Sequence, residues 1–117
     1  MTWVRVGALF MAVGVLLGAF GAHGLKAFLE PDQMDVFKTG VFYQIVNALG
    51  LLVIGVLGLQ NPRARTFPSG AFLSAGILLF SGSLYLITLK GMSWMGAVTP
   101  IGGICLVAGW IFLVFTL

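Results

Sequence analysis

A four-helix bundle built into a membrane, all-α throughout, is the fold class the sequence predicts. Three observations carry the prediction. First, no Lys, Arg, Asp or Glu occurs in the intervals 6–25, 39–62, 66–89 and 91–117. The shortest interval has 20 residues, which as a helix reaches about 30 Å, the thickness of a bilayer's hydrocarbon core. Second, 60% of residues are hydrophobic and only 8% are charged, against roughly a quarter charged in soluble domains. Third, the mean hydropathy is +1.12, and a chain of 117 residues is too small to hide that much apolar surface from water. Four crossings fill a single membrane domain, 1–117, with spans at about 3–22, 40–59, 69–89 and 93–117.

Charge and cysteine content exclude several function classes. The six basic residues behind the net charge of +3 are dispersed, whereas nucleic-acid binding needs a patch. They read as anchors at the membrane surface, so the lipid bilayer is the expected surrounding and nucleic acid is not a partner. The single cysteine, Cys105, has no CxxC partner for a metal or redox site and reads as a small packing residue.

Span one begins at Trp3 and Arg5, residues suited to the interface. Gly14 and Gly18 form a GxxxG in a set with Gly7 and Gly21. Because lipid supplies no hydrophobic drive for association, small residues that admit a close backbone mark a helix-packing face. A signal peptide, with cleavage near Ala19-Phe20-Gly21, is the competing reading. The apolar run continues past that point to Ala22, so a retained helix is expected.

Residues 23–38 hold all three acids, Glu30, Asp32 and Asp35. Pro31 and Asp32 suit the first turn of a helix. Leu25, Phe28 and Leu29 precede it as an apolar face, and Met34, Phe37 and Val41 follow at helical spacing. The segment is expected to be a short amphipathic piece on the membrane, leading into a helix that becomes span two.

Span two opens with Tyr43, Gln44 and Asn47, polar for a membrane helix, and Asn61-Pro62 ends it. In span three, Ser74, Ser81 and Thr88 repeat every seven residues with Tyr85 near the same seam; such a stripe serves helix packing. Pro100 divides the readings of span four. The helix either runs from Ser93 and kinks at Pro100, or starts at Pro100 with Thr99 as N-cap. The sequence leans to the continuous, kinked helix. Gly102 and Gly103, with Gly109, supply its close-approach face.

Four motifs together carry a family resemblance: Gly18-Ala-Phe-Gly-Ala-His-Gly-Leu-Lys26, Phe37-Lys-Thr-Gly-Val-Phe-Tyr-Gln44, Phe80-Ser-Gly-Ser-Leu-Tyr85, and Thr99-Pro-Ile-Gly-Gly103 with Trp110. The chain resembles the bacterial family called domain of unknown function 423, whose eukaryotic relatives are called transmembrane protein 256-like. The matching segments fall on all four spans. The resemblance implies a small four-helix membrane protein and brings no activity, substrate or cofactor. It also implies a histidine, usual in the family, at the position held here by Asn47. A mechanism needing two imidazoles therefore does not carry over, because Asn cannot titrate. The motif around Ala19-Phe20-Gly21 argues against cleavage there.

The candidate polar pocket is His23, Tyr43, Gln44 and Asn47. His23 is the only histidine; alone it has no partners for metal or nucleophilic work, and a helix-end residue bonded to loop backbone or to an acid is the favoured reading. Tyr43, Gln44 and Asn47 must find partners in hydrocarbon, so an interhelical hydrogen-bond knot is favoured over a ligand site. No catalytic residue, metal ligand or cofactor is expected, and the protein is not read as an enzyme.

The expected function is that of a structural or accessory membrane protein acting through helix–helix association. Its partner would be a second copy or another membrane protein, met on the glycine faces of spans one and four. The alternatives are a small oligomeric transporter or channel, or a lipid- or quinone-binding protein. No charged residue lies within a span to couple transport. The cell (plasma) membrane is the expected location, with the termini cytoplasmic. The basic residues balance, Arg5, Arg63 and Arg65 against Lys26, Lys38 and Lys90, so insertion in both orientations is a second expectation.

Overall fold

The structure is a computed structural model describing residues 2–116; Leu117, the expected end of span four, lies outside the described residues with Met1. The first span starts as α1 (Thr2–Leu16) and runs on through a π-helical turn, Leu17–Gly21, one α-helical turn, Ala22–Gly24, and a 3-10 turn, Leu25–Ala27. Then come α2 (Pro31–Gln60), α3 (Phe67–Lys90), a 3-10 turn, Ser93–Ala97, and α4 (Thr99–Val114). Four helical stretches, Trp3–Ala27, Pro31–Gln60, Phe67–Lys90 and Ser93–Val114, are long and apolar enough to cross a membrane. Among the described residues there is no strand.

Local chemistry explains where each helix starts and stops. Glu30 is extended (φ −66°, ψ 158°) and forms a capping box with Gln33, whose Oε1 accepts the Glu30 N–H at 3.0 Å. Pro31 opens α2, where a missing N–H costs nothing, and Asp32 follows in the positive first turn. Helix α2 therefore begins at Pro31, as expected of the helix that leads into span two, ahead of the crossing itself at about Gly40. Its 30 residues span about 45 Å, so about ten of them project past the hydrocarbon core. The first two turns, bearing Asp32, Asp35 and Lys38, are the polar end that can do so. The apolar face expected here is met in part: Leu25 and Leu29 pack on Met34 and Phe37, whereas Phe28 is exposed with Lys26 and Glu30.

At the far end of α2, Asn61 Oδ1 accepts the Arg63 N–H at 3.2 Å, closing a turn. Helix α3 stops at Gly91, which adopts φ +66° and ψ 22°, the left-handed cap that glycine enters without a Cβ penalty. The last helical stretch starts at Ser93, as expected, but its opening is a 3-10 turn, and the α-helix begins only at Thr99 rather than running through a kink at Pro100. Pro100 then stands in the first turn of α4, where its lost N–H has no α-helical partner to miss. Thr99 is inside α4 rather than capping it, and its hydroxyl bonds Met95 O at 3.3 Å.

Successive helices are antiparallel neighbours: α1 packs on α2, α2 on α3, and α3 on α4. Helix α2 is the hub, with 50% of its apolar stretch buried against 11% in the first span and 17% in the last. One core gathers Leu51 and Ile54 of α2, Leu73 and Ile77 of α3, and Leu106 of α4, with Trp3, Val6 and Phe10 against it. A second, at the other end, is Met34, Phe37 and Val41 with Leu17, Ile45 and Tyr85.

Close approach is made by glycine on the first span, against α2, and on the last, against α3. A Cβ on Gly14 would stand 3.0 Å from Ile45 Cγ1, and one on Gly18 would stand 3.1 Å from Val41 Cγ1. A Cβ on Gly102 would run into the backbone of Phe80. The glycine faces of spans one and four thus close on α2 and α3 of the same chain. What these spans turn outward is aliphatic, including Leu9, Val13 and Leu16 on one side and Ile104, Val107 and Ile111 on the other. Water would solvate such belts at great cost, while lipid tails do so at none.

Candidate functional site

The polar residues of α2 point two ways. Gln44, 3% exposed, faces α1 and α3. Its Nε2 donates to Phe10 O at 2.7 Å, and its Oε1 accepts the Tyr85 hydroxyl at 2.6 Å. One side chain therefore ties three helices, and it lies in a shallow hollow of about 330 Å³ between them. Asn47, 4% exposed, faces α4. Its Nδ2 donates to Tyr43 O at 2.7 Å and its Oδ1 accepts the Trp110 indole N–H at 2.8 Å. In hydrocarbon each such pairing removes a group that would otherwise be unsatisfied.

Hydroxyls complete the lacing. Ser81 Oγ donates to Gly40 O at 2.7 Å, joining α3 to α2. Ser83 donates to Phe80 O and is bonded to Thr99 across the α3–α4 seam. Thr88 bonds back to Leu84 O at 3.0 Å. Ser74 Oγ is buried with no partner among the described residues.

A cleft of about 600 Å³ lies between α2 and α4, floored by Phe80 of α3. Phe42, Tyr43, Val46 and Asn47 line one wall. Pro100, Gly103, Ile104, Val107 and Trp110 line the other. The Tyr43 ring lies 4.7 Å from that of Phe80. Val46, Ile104 and Val107 are exposed at its lips, so it opens sideways, toward lipid. The polar atoms of Asn47 and Trp110 satisfy each other, which leaves hydrocarbon walls. The Tyr43 hydroxyl has no hydrogen-bond partner among the described residues.

Of the four pocket candidates, Tyr43 and Asn47 meet in this cleft and Gln44 lies on the opposite flank of α2. His23 stands apart and exposed, in a depression of about 280 Å³ with Gly18, Ala19, Ala22, Lys26, Met34 and Lys38. Sequence reasoning missed the role of Trp110, yet a signal was there: an indole N–H inside a span needs an acceptor, and Asn47 is the nearest kind available. It also missed that Lys26 and Lys38 share a depression with His23. Cys105 is a free thiol, partly buried on α4.

Comparison with known proteins agrees with this architecture. The family model "Protein of unknown function (DUF423)" matches residues 17–103. "UPF0382 membrane protein SH2409" of Staphylococcus haemolyticus is 40% identical over 97% of this chain and 93% of its own length. "UPF0382 membrane protein YwdK" of Bacillus subtilis is 39% identical over 96% and 92%. "UPF0382 inner membrane protein YgdD" of Escherichia coli is 38% identical over 82% and 73%. No solved structure matches the chain. With a matching model across most of its length and relatives covering nearly all of it, the chain belongs to the DUF423 family, as a small multi-pass membrane protein.

Proposed function

We propose that this protein is a non-enzymatic accessory protein of the cell membrane that holds an apolar chain, the alkyl or isoprenoid tail of a membrane lipid, in the α2–α4 cleft. The cleft carries this reading. Its volume of about 600 Å³ falls within the range of small-molecule sites. It opens toward hydrocarbon, the polar groups of its walls, Asn47 and Trp110, satisfy each other, and Tyr43 leaves one hydroxyl for an oxygen at the head of the chain. The absence of any Lys, Arg, Asp or Glu within the spans argues against coupled transport. A lone imidazole and a lone thiol on separate helices argue against a reaction. Self-association or a protein partner would use the aliphatic outer faces, since the glycine faces are occupied within the chain. The E. coli relative is named an inner membrane protein, which supports the plasma membrane here; cytoplasmic termini complete the reading.

The test is photolabelling in liposomes with a phospholipid bearing a diazirine on its acyl chain. Gly103→Leu fills the cleft, and at this position a Cβ meets Phe80 at an ordinary 3.7 Å. The wild type is expected to concentrate label on cleft residues such as Val46 and Val107, and Gly103→Leu to lose that label while keeping the label on Leu9 and Val13. Uniform labelling of all outward residues in both proteins would overturn the reading.

A further inference from the structure

We infer that the depression at the end of the first span is a binding site for the phosphate of an anionic lipid headgroup. Three cationic or cation-capable side chains converge on it from two helical segments: His23 and Lys26 from the first span, and Lys38 from α2. No acid lines it, and no ion pair involves these residues among those described. Asp35 precedes Lys38 by three residues on α2, but it is exposed outside the depression. Gathered this way, the charges are unlike the other basic residues, since Arg5, Arg63, Arg65 and Lys90 line none of the cavities described.

The backbone explains the convergence. The π-helical turn Leu17–Gly21 adds a residue to one turn of the helix, and at about 100° per residue this re-aims everything that follows. Such turns recur at functional sites. The π turn is followed by the helical turn holding His23 and the 3-10 turn holding Lys26, and both side chains end up beside Lys38.

The depth fits a headgroup. The site lies where the first span ends and where α2 projects past the hydrocarbon, which is the level of the lipid phosphates. Phe20 and Phe28 beside it are 70% and 79% exposed, as residues immersed at the acyl boundary would be. With cytoplasmic termini the site faces the outer leaflet, and the electrostatics by which basic pockets between membrane helices hold phosphate headgroups act there wherever the leaflet carries anionic lipid. The site is on the opposite flank of α2 from the apolar cleft and stands or falls independently of it.

The experiment uses full-length protein in nanodiscs of phosphatidylcholine mixed with phosphatidylglycerol, with retained lipid counted by native mass spectrometry. The wild type is expected to retain phosphatidylglycerol in preference to phosphatidylcholine. Lys26→Gln or Lys38→Gln is expected to weaken retention roughly fivefold, and the double variant roughly thirtyfold. Arg63→Gln with Arg65→Gln removes the same charge from the other side and is expected to leave retention unchanged. All four side chains are exposed, and unchanged helicity by circular dichroism identifies the variants as folded. Equal loss in the lysine and arginine double variants, or no loss in either, would overturn the site. Inorganic phosphate binding to protein in pure phosphatidylcholine nanodiscs, abolished by the lysine pair, would overturn its assignment to a lipid.

Discussion

The indole Nε1 of Trp110 donates to Oδ1 of Asn47 at 2.8 Å, and this bond ties α4 to the central helix across the cleft. Asn47→Leu strands the indole N–H in an apolar setting and is expected to cost about 1–2 kcal/mol. Trp110→Phe alone should cost a similar amount. Combined, they should cost less than the sum, because neither partner is then left unpaired. Unfolding in mixed micelles by sodium dodecyl sulfate, read as a double-mutant cycle, checks this; strictly additive losses would mean the bond contributes nothing.

Two serines one heptad apart on α3 should respond in opposite directions. Ser81 donates to Gly40 O at 2.7 Å, so Ser81→Ala is expected to destabilise by about 0.5–1.5 kcal/mol. Ser74 Oγ is buried without a partner among the described residues, so Ser74→Ala removes a desolvated hydroxyl and is expected to be neutral or stabilising by up to about 1 kcal/mol. The same unfolding titration separates them.

Glycine substitutions distinguish close approach from mere composition. A Cβ at Gly102 collides with the backbone of Phe80, whereas one at Gly82 meets nothing within 4 Å. Gly102→Ala should therefore open the α3–α4 seam at a cost of about 1–3 kcal/mol. Gly82→Ala, in the body of a helix, should gain about 0.5–1 kcal/mol. Thermal denaturation in detergent would rank the two variants.

Gly91 is a third case with a different cause. It has open space around it but a φ of +66°, so Gly91→Ala is expected to cost about 1–2 kcal/mol through backbone strain alone. Gly91→Asn should recover part of that loss, because asparagine tolerates the left-handed region better. Equal stability of all three proteins would contradict the cap.

Most of the fold was legible because hydrocarbon imposes one rule: keep charge out of the crossing. The charge-free intervals therefore mark the spans, and Pro31 with Asp32 marks a helix start. What escaped was finer. The capping box of Glu30 and Gln33 went unread, because glutamate is an uncommon N-cap, although the helix start at Pro31 was in view. Pro100 reads as a kink inside an apolar run, and only the 3-10 turn before it reveals a helix start. The polar trio of α2 was visible as a group, but Gln44 and Asn47 diverge because three residues rotate a helix by about 300°, and the partner helix on each flank is a tertiary fact. His23 was visible as a lone imidazole; the π turn that sets Lys26 and Lys38 beside it leaves no mark in hydrophobic periodicity.

The central claim is that lipid surrounds the outer faces of α1, α2 and α4 while α2 carries a dry polar interior. Spin labels at single cysteines, in a Cys105→Ser background and in liposomes, test it most directly. Labels at Leu9, Val53 and Ile111 are expected to be relaxed by dissolved oxygen and shielded from a water-soluble nickel chelate, while one at Lys26 shows the reverse. Nickel access at any of the three outward positions would contradict a bilayer-embedded bundle with these faces turned to lipid.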